Sequence, residues 1–145
     1  TVTTVTVLVF GLRRYGRRVL ERLHAEGVAV LGVDFDPEAI KSLCAAGLPV
    51  RFGDGESPEF LDTLPLQGVS WVFSTLPLLE AQRALLAGLR AGQFRGRVAV
   101  AVREAMPEQA LRELGVDRVF QPFEDAADHA GEQLLASLRQ GQPGA

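Results

Sequence analysis

The sequence holds one cysteine, Cys44, so neither a disulfide framework nor a cysteine-based metal site can be built from it. A reducing, cytosolic compartment accords with that scarcity. Its two histidines, His24 and His129, fall on separate predicted helices and have no metal-ligand spacing. No apolar run approaches the roughly 18–20 residues of a membrane span, and no basic-then-apolar leader opens the chain. The segment is therefore expected to be soluble, with no direct membrane insertion. Lys41 is the single lysine among fifteen basic residues, and the formal net charge is −3. No global basic field points to nucleic acid. Tyr15 is the only tyrosine and lies far from Lys41, so the Tyr-x-x-x-Lys pair of short-chain dehydrogenases is absent. No Ser–His–acid arrangement is visible, and no catalytic residue is assigned.

What is present is a regular alternation of β-branched runs and amphipathic stretches. With 145 residues, 47% of them hydrophobic, the chain is the size of one domain with one core. Val5–Phe10 is a near-continuous apolar run, as a buried parallel strand should be. Strands are expected next at Val28–Val33, Pro49–Phe52, Ser70–Ser74, Arg97–Val102 and Arg118–Phe120. Between and after them, helices are expected from Arg14 to Glu26, from Asp36 to Gly47, from Ser57 to about Leu64, from about Pro77 to Ala91, over Pro107–Leu114 and over Glu124–Arg139. Asp36-Pro37-Glu38 and Ser57-Pro58-Glu59 are helix starts, each a cap, a first-turn proline and an acid suited to the dipole. Six strands joined by helices predict a doubly wound, parallel α/β sheet with helices on both faces, because parallel neighbours need crossovers. The expected domain is 1–139, followed by a breaker-rich flexible tail at 140–145. A start at Thr1 almost directly on a strand suggests a segment of a longer chain.

The strongest chemical signal is strand one followed by Gly11-Leu12-Arg13-Arg14-Tyr15-Gly16 and a helix. Gly11 and Gly16 occupy the first and third positions of the G-x-G-x-x-G turn of a Rossmann fold; the second glycine is replaced by Arg13. The turn is followed by an acid at the end of strand two, Asp34. Such a carboxylate accepts from the adenosine ribose hydroxyls and repels a 2′-phosphate, which disfavours NADP; the plain alternative is a solvated strand end. Two roles are open to Arg13: its Cβ crowds a pyrophosphate lying on the turn, or its guanidinium binds a phosphate. Arg17 and Arg18 are expected to face solvent. Gly53-Asp54-Gly55 is either a plain turn or a wall on the adenine side. Ser74-Thr75-Leu76-Pro77 and Arg103 follow strands four and five and border the same rim. Cys44 is expected to face the core, and Trp71 and Phe73 to pack. The candidate binding set is Gly11, Leu12, Arg13, Arg14, Tyr15, Gly16, Asp34, Phe35, Asp54 and Thr75, with no metal site.

Taken in order, Gly-Leu-Arg-Arg-Tyr-Gly, Gly-Val-Asp-Phe-Asp-Pro-Glu, Arg-Phe-Gly-Asp-Gly and Leu-Gly-Val-Asp-Arg-Val-Phe-Gln-Pro-Phe resemble the RCK N-terminal domain, also called KTN or TrkA-N. The resemblance runs from about Val5 to Leu138 and is nearest to the cytosolic C-terminal domains of Kef-type cation/proton antiporters. It implies a regulatory domain of potassium or cation transport on the cytoplasmic side of a membrane transporter. It also implies an adenine nucleotide such as NAD(H), AMP or ATP as ligand, and a homodimer formed through the sheet edge and the last helices. Carried over residue by residue, the family's glycine turn is Gly11 and Gly16, its ribose acid Asp34 and its Gly-Asp element Gly53-Asp54; Arg13 is the departure. The last helix, with Phe123, Ala127, Leu134, Leu135 and Leu138, carries an apolar stripe that serves either as a dimer contact or as a cover for the sheet. The competing reading is an NAD-dependent oxidoreductase fragment without its substrate domain. A phosphoacceptor domain is disfavoured because no acidic cluster ends strand one.

Overall fold

The structure, a computed structural model, describes residues 4–141. Six strands form one parallel sheet: β1 (Val7–Phe10), β2 (Val30–Asp34), β3 (Val50–Phe52), β4 (Trp71–Ser74), β5 (Arg97–Ala101) and β6 (Arg118–Phe120). Their order across the sheet is β3-β2-β1-β4-β5-β6, and every pair is parallel. The helices are α1 (Arg14–Ala25), α2 (Pro37–Ala45), α3 (Pro58–Leu61), α4 (Leu79–Ala91), α5 (Glu108–Glu113) and α6 (Pro122–Gln140). The expected doubly wound architecture is the one observed.

Central position explains the composition of β1. Leu8 and Phe10 enter a core with Val33, Val72, Leu85 and Leu89, while Val9 enters a second core on the opposite face with Leu12, Leu20, Leu43 and Phe73. A strand covered on both faces has no polar side to show, hence its unbroken apolar run. The helices follow the same division. Leu20 of α1 and Leu43 of α2 pack on one face, and Leu85 and Leu89 of α4 on the other. A third cluster joins Leu86, Val100, Val102 and Leu114 beneath α4 and α5.

Local capping matches the chain's chemistry. The Asp36 carboxylate accepts the Glu38 N–H at 3.0 Å, and the Ser57 hydroxyl accepts the Phe60 N–H at 3.3 Å. Each satisfies a donor that the first helical turn leaves without a partner. One expectation, the inward-facing cysteine, is corrected. Cys44 is exposed; the core position on α2 belongs to its neighbour Leu43, and one residue of helix rotation turns Cys44 away from the sheet. The last helix begins at Pro122 and continues through Gln140, and none of its residues is buried, so it does not cover the sheet. Gln140, expected to open the tail, is thus helical; residues 142–145 of that tail, like residues 1–3, lie outside the described residues. Trp71 is half-buried against the second core and Phe73 is buried within it.

Candidate ligand cleft at the switch point

The helix after β1 and the helix after β4 pack on opposite faces of the sheet, although β1 and β4 are neighbours. The chain therefore diverges at the carboxyl ends of these two strands and leaves a crevice, the position where open α/β sheets bind ligands. A cleft of about 1060 Å³ occupies it, lined by the ends of β1, β2, β4 and β5 and by the start of α6.

The glycine turn forms its floor, and Gly11 and Gly16 are there for steric reasons. Gly11 has φ +90, where a side chain is strained, and a Cβ on it would collide with the Thr75 hydroxyl. A Cβ on Gly16 would collide with the Gly11 carbonyl. Thr75 closes the arrangement, its hydroxyl donating to the Gly11 carbonyl at 2.8 Å. Arg13 differs: its φ is −76 and ψ −168, ordinary extended backbone that any residue adopts. Nothing in the turn itself demands glycine at this position.

Leu12 is 3% exposed and lies against Gly32 and Leu20. It is the one candidate binding residue that does not line the cleft; Gly11, Arg13, Arg14, Tyr15, Gly16, Asp34, Phe35, Asp54 and Thr75 all do. The Leu12 contribution is positional, because its N–H donates to Asp34 Oδ2 at 2.7 Å. The other oxygen, Oδ1, accepts the Asp36 N–H at 2.9 Å. Asp34 thus ties the end of β2 to the glycine turn while each oxygen keeps a lone pair for a further donor. Asp54 Oδ1 accepts the Glu56 N–H at 2.9 Å, an Asx turn, and Asp54 also faces the cleft. Gly53-Asp54-Gly55 is thus a turn that also lines the cleft.

Charge divides the cleft into two banks. Asp34, Asp36, Asp54 and Glu56 line it at the ends of β2 and β3, whereas Arg13, Arg14 and Arg103 line it after β1 and β5. Helix α1 begins without a side-chain cap and without an acid in its first turn. Cations at that end cost roughly 0.3–1 kcal/mol each when exposed. Arg17 is half-buried and sits 3.5 Å from Glu21, while Arg18 is exposed. Tyr15 stands over the sheet with its ring 6.1 Å from that of Phe73, which in turn meets Phe120 edge-on at 5.6 Å. Burial first, and then the Asp125 carboxylate, push the Tyr15 hydroxyl above its ordinary pKa of 10.0. Sequence reasoning did not assign Glu56, Pro122 or Phe123 to the cleft. The signal for Glu56 was its place in the loop after β3. The two α6 residues reach the cleft only through the way β6 hands over to that helix. Among the described residues, no group of three or more His, Cys, Asp or Glu is placed to hold a metal, and no helix is long and apolar enough to cross a membrane.

A parallel 321456 sheet with a glycine turn, a β2 acid and a switch-point cleft defines a Rossmann-type domain. Residues 7–122 match the model of the TrkA-N domain, and the chain belongs to that family. Among solved structures it is similar to the NAD(P)-binding domain of an exopolyphosphatase-related protein from Archaeoglobus fulgidus. That match has 25% identity and a TM-score of 0.76 over 94% of this chain and 98% of that one. It is also similar to the TrkA-N domain of the inner membrane protein ybaL from Escherichia coli, at 18% identity and a TM-score of 0.77 over 90% and 97%. A third likeness is to the GsuK channel bound to NAD, at 18% identity and a TM-score of 0.71. There the match covers 81% of this chain and 21% of the channel's. Among curated proteins none matches.

Proposed function

We propose that this domain is a nucleotide-sensing regulatory module of a potassium or other cation transporter, or of a cation/proton antiporter of the Kef type, working on the cytoplasmic side of the membrane. The observation that carries the reading is the two-banked cleft. Asp34 holds the turn through one lone pair on each oxygen and keeps the others for ribose hydroxyls. The uncapped start of α1 and the arginines beside it take the phosphates, since a helix N-terminus attracts anions. The ligand is an adenine nucleotide, NAD(H) or AMP among them. Residues 1–139 act as one sensing domain that itself catalyses no reaction. Two copies associate through α6, whose apolar Phe123, Leu134 and Leu135 are exposed. Bound nucleotide then acts by its different affinity for two arrangements of the assembly.

The test is calorimetric titration of the protein with adenosine, AMP, ADP and NAD, repeated on Asp34→Asn. Losing hydrogen bonds to a charged group costs about 1.5–3 kcal/mol, so Asp34→Asn binds every adenosine-bearing ligand about tenfold or more weakly. Equal binding by the variant rejects Asp34 as the ribose ligand. A second reading keeps the cleft but attaches it to an enzyme, as an NAD-dependent oxidoreductase fragment. It draws on the likeness to the NAD(P)-binding domain of the exopolyphosphatase-related protein. Membrane spans in the full-length chain favour the first reading, and a substrate domain favours the second.

A further inference from the structure

We infer that Arg13, acting with Arg103, is a phosphate ligand that tunes the cleft to a nucleotide ending in a free terminal phosphate, a nucleoside diphosphate above all, in preference to a dinucleotide. The inference rests on the nucleotide-binding reading above and narrows its ligand. Four observations bear on it. The backbone at Arg13 has φ −76, so the glycine expected here serves only to let a ligand come close. Replacing it with arginine leaves the fold intact and changes what can lie on the turn. A dinucleotide pyrophosphate lies flat against that backbone, and Arg13, which lines the cleft, brings a Cβ to the position where the motif has none.

The remaining observations concern charge. Arg13 and Arg103 line the same cleft from opposite sides of the end of β4, and among the described residues neither side chain has an ion-pair partner. The opposite bank carries Asp34, Asp36, Asp54 and Glu56, which repel phosphate and direct it toward the arginines. The uncapped N-terminus of α1 adds its dipole on the arginine side. A singly substituted terminal phosphate carries about −1.5 to −2 at neutral pH and offers three oxygens to two planar guanidinium groups. Each phosphate of a dinucleotide carries one charge and is substituted on both sides, by a ribose ester and by the bridging anhydride oxygen. Free guanidinium groups on both sides of the β4 end therefore gain most from a ligand that terminates between them.

The experiment compares ADP, NAD and adenosine on the protein, on Arg13→Gly, on Arg13→Gln and on Arg103→Gln by calorimetry, with the thermal midpoint of each variant as the folding control. ADP is expected to bind at least about tenfold tighter than NAD, the scale of one charge-assisted hydrogen bond. Arg13→Gly lowers the ratio of ADP to adenosine affinity by about tenfold and tightens NAD, reversing the order. Arg13→Gln lowers the same ratio without restoring NAD, because its Cβ remains. Arg103→Gln also lowers the ratio. NAD binding as tightly as ADP to the parent, or an ADP to adenosine ratio unchanged in both Arg13 variants, overturns the phosphate-ligand role and leaves the nucleotide site standing. If adenosine, ADP and NAD all fail to bind the folded parent, the nucleotide reading falls and this inference falls with it.

Discussion

Helices α1 and α6 have similar apolar patterns and opposite fates. In α1, Val19, Leu20 and Leu23 recur at helical spacing, and Leu20 is fully buried with Val19 and Leu23 half-buried around it. In α6, Leu134, Leu135 and Leu138 recur in the same way, yet the helix buries none of its residues, and Phe123 and Leu134 are 75% and 65% exposed. The difference comes from where each helix is attached. Helix α1 leaves β1 through the glycine turn and is brought back onto β1 and β2, whose Val9, Gly32 and Val30 receive it. Helix α6 leaves β6, the last strand and an edge of the sheet. An apolar stripe states that a helix needs a covering surface; it does not state which surface or whose.

The largest expected effect sharpens that contrast from the α1 side. Leu20→Ala removes a fully buried side chain and costs about 2–5 kcal/mol, read as a lowered midpoint in denaturant unfolding. The matching change on α6, Leu134→Ala with Leu135→Ala, is expected to shift the unfolding of the isolated domain by only about 0.5 kcal/mol, as exposed substitutions do. If two copies associate through α6 as proposed, its effect falls instead on association, read in sedimentation as a shift toward single chains. A loss of domain stability like that of Leu20→Ala would mean that α6 folds back on its own sheet, and the comparison would collapse.

The smallest effect is at the point where the two helices sense each other. Tyr15 of α1 feels the Asp125 charge of α6, and as the single tyrosine its ionisation can be followed by phenolate absorbance. Its hydroxyl is expected to titrate above 10.0 in the folded protein. Asp125→Asn lowers that pKa part of the way, since burial is the larger cause. Because the folded value is raised, the associated stability is fully present below the unfolded pKa. It is lost as pH rises through the folded one. An unchanged titration in Asp125→Asn would separate the base of α6 from the glycine turn.

Much of the architecture is local in origin and so was legible in advance. The caps at Asp36 and Ser57, the apolar run of β1 and the turn from Gly11 to Gly16 each depend on residues within a few positions of one another, and each is found where the residue pattern puts it. Asp34 was legible as a cleft residue. Its bond to the Leu12 N–H was not, because it links positions 22 apart through the pairing of β1 with β2. Cys44 and Leu43 are neighbours in sequence and equally apolar in pattern. Which of them meets the sheet depends on the angle at which α2 is set down.

By itself the amino-acid sequence determined the alternation of strand and helix, the parallel doubly wound sheet it implies, and the positions of the glycine turn and the acid after β2. Hydrophobic periodicity, capping and steric freedom act over short stretches of chain, and they suffice for that much. Only the tertiary structure decided that Leu12 belongs to the core, that Arg13 needs no glycine backbone, and that acids and arginines form opposite banks of one cleft. It alone left α6 uncovered. Those outcomes depend on strand order and on the face each helix occupies, and both are properties of the assembled sheet.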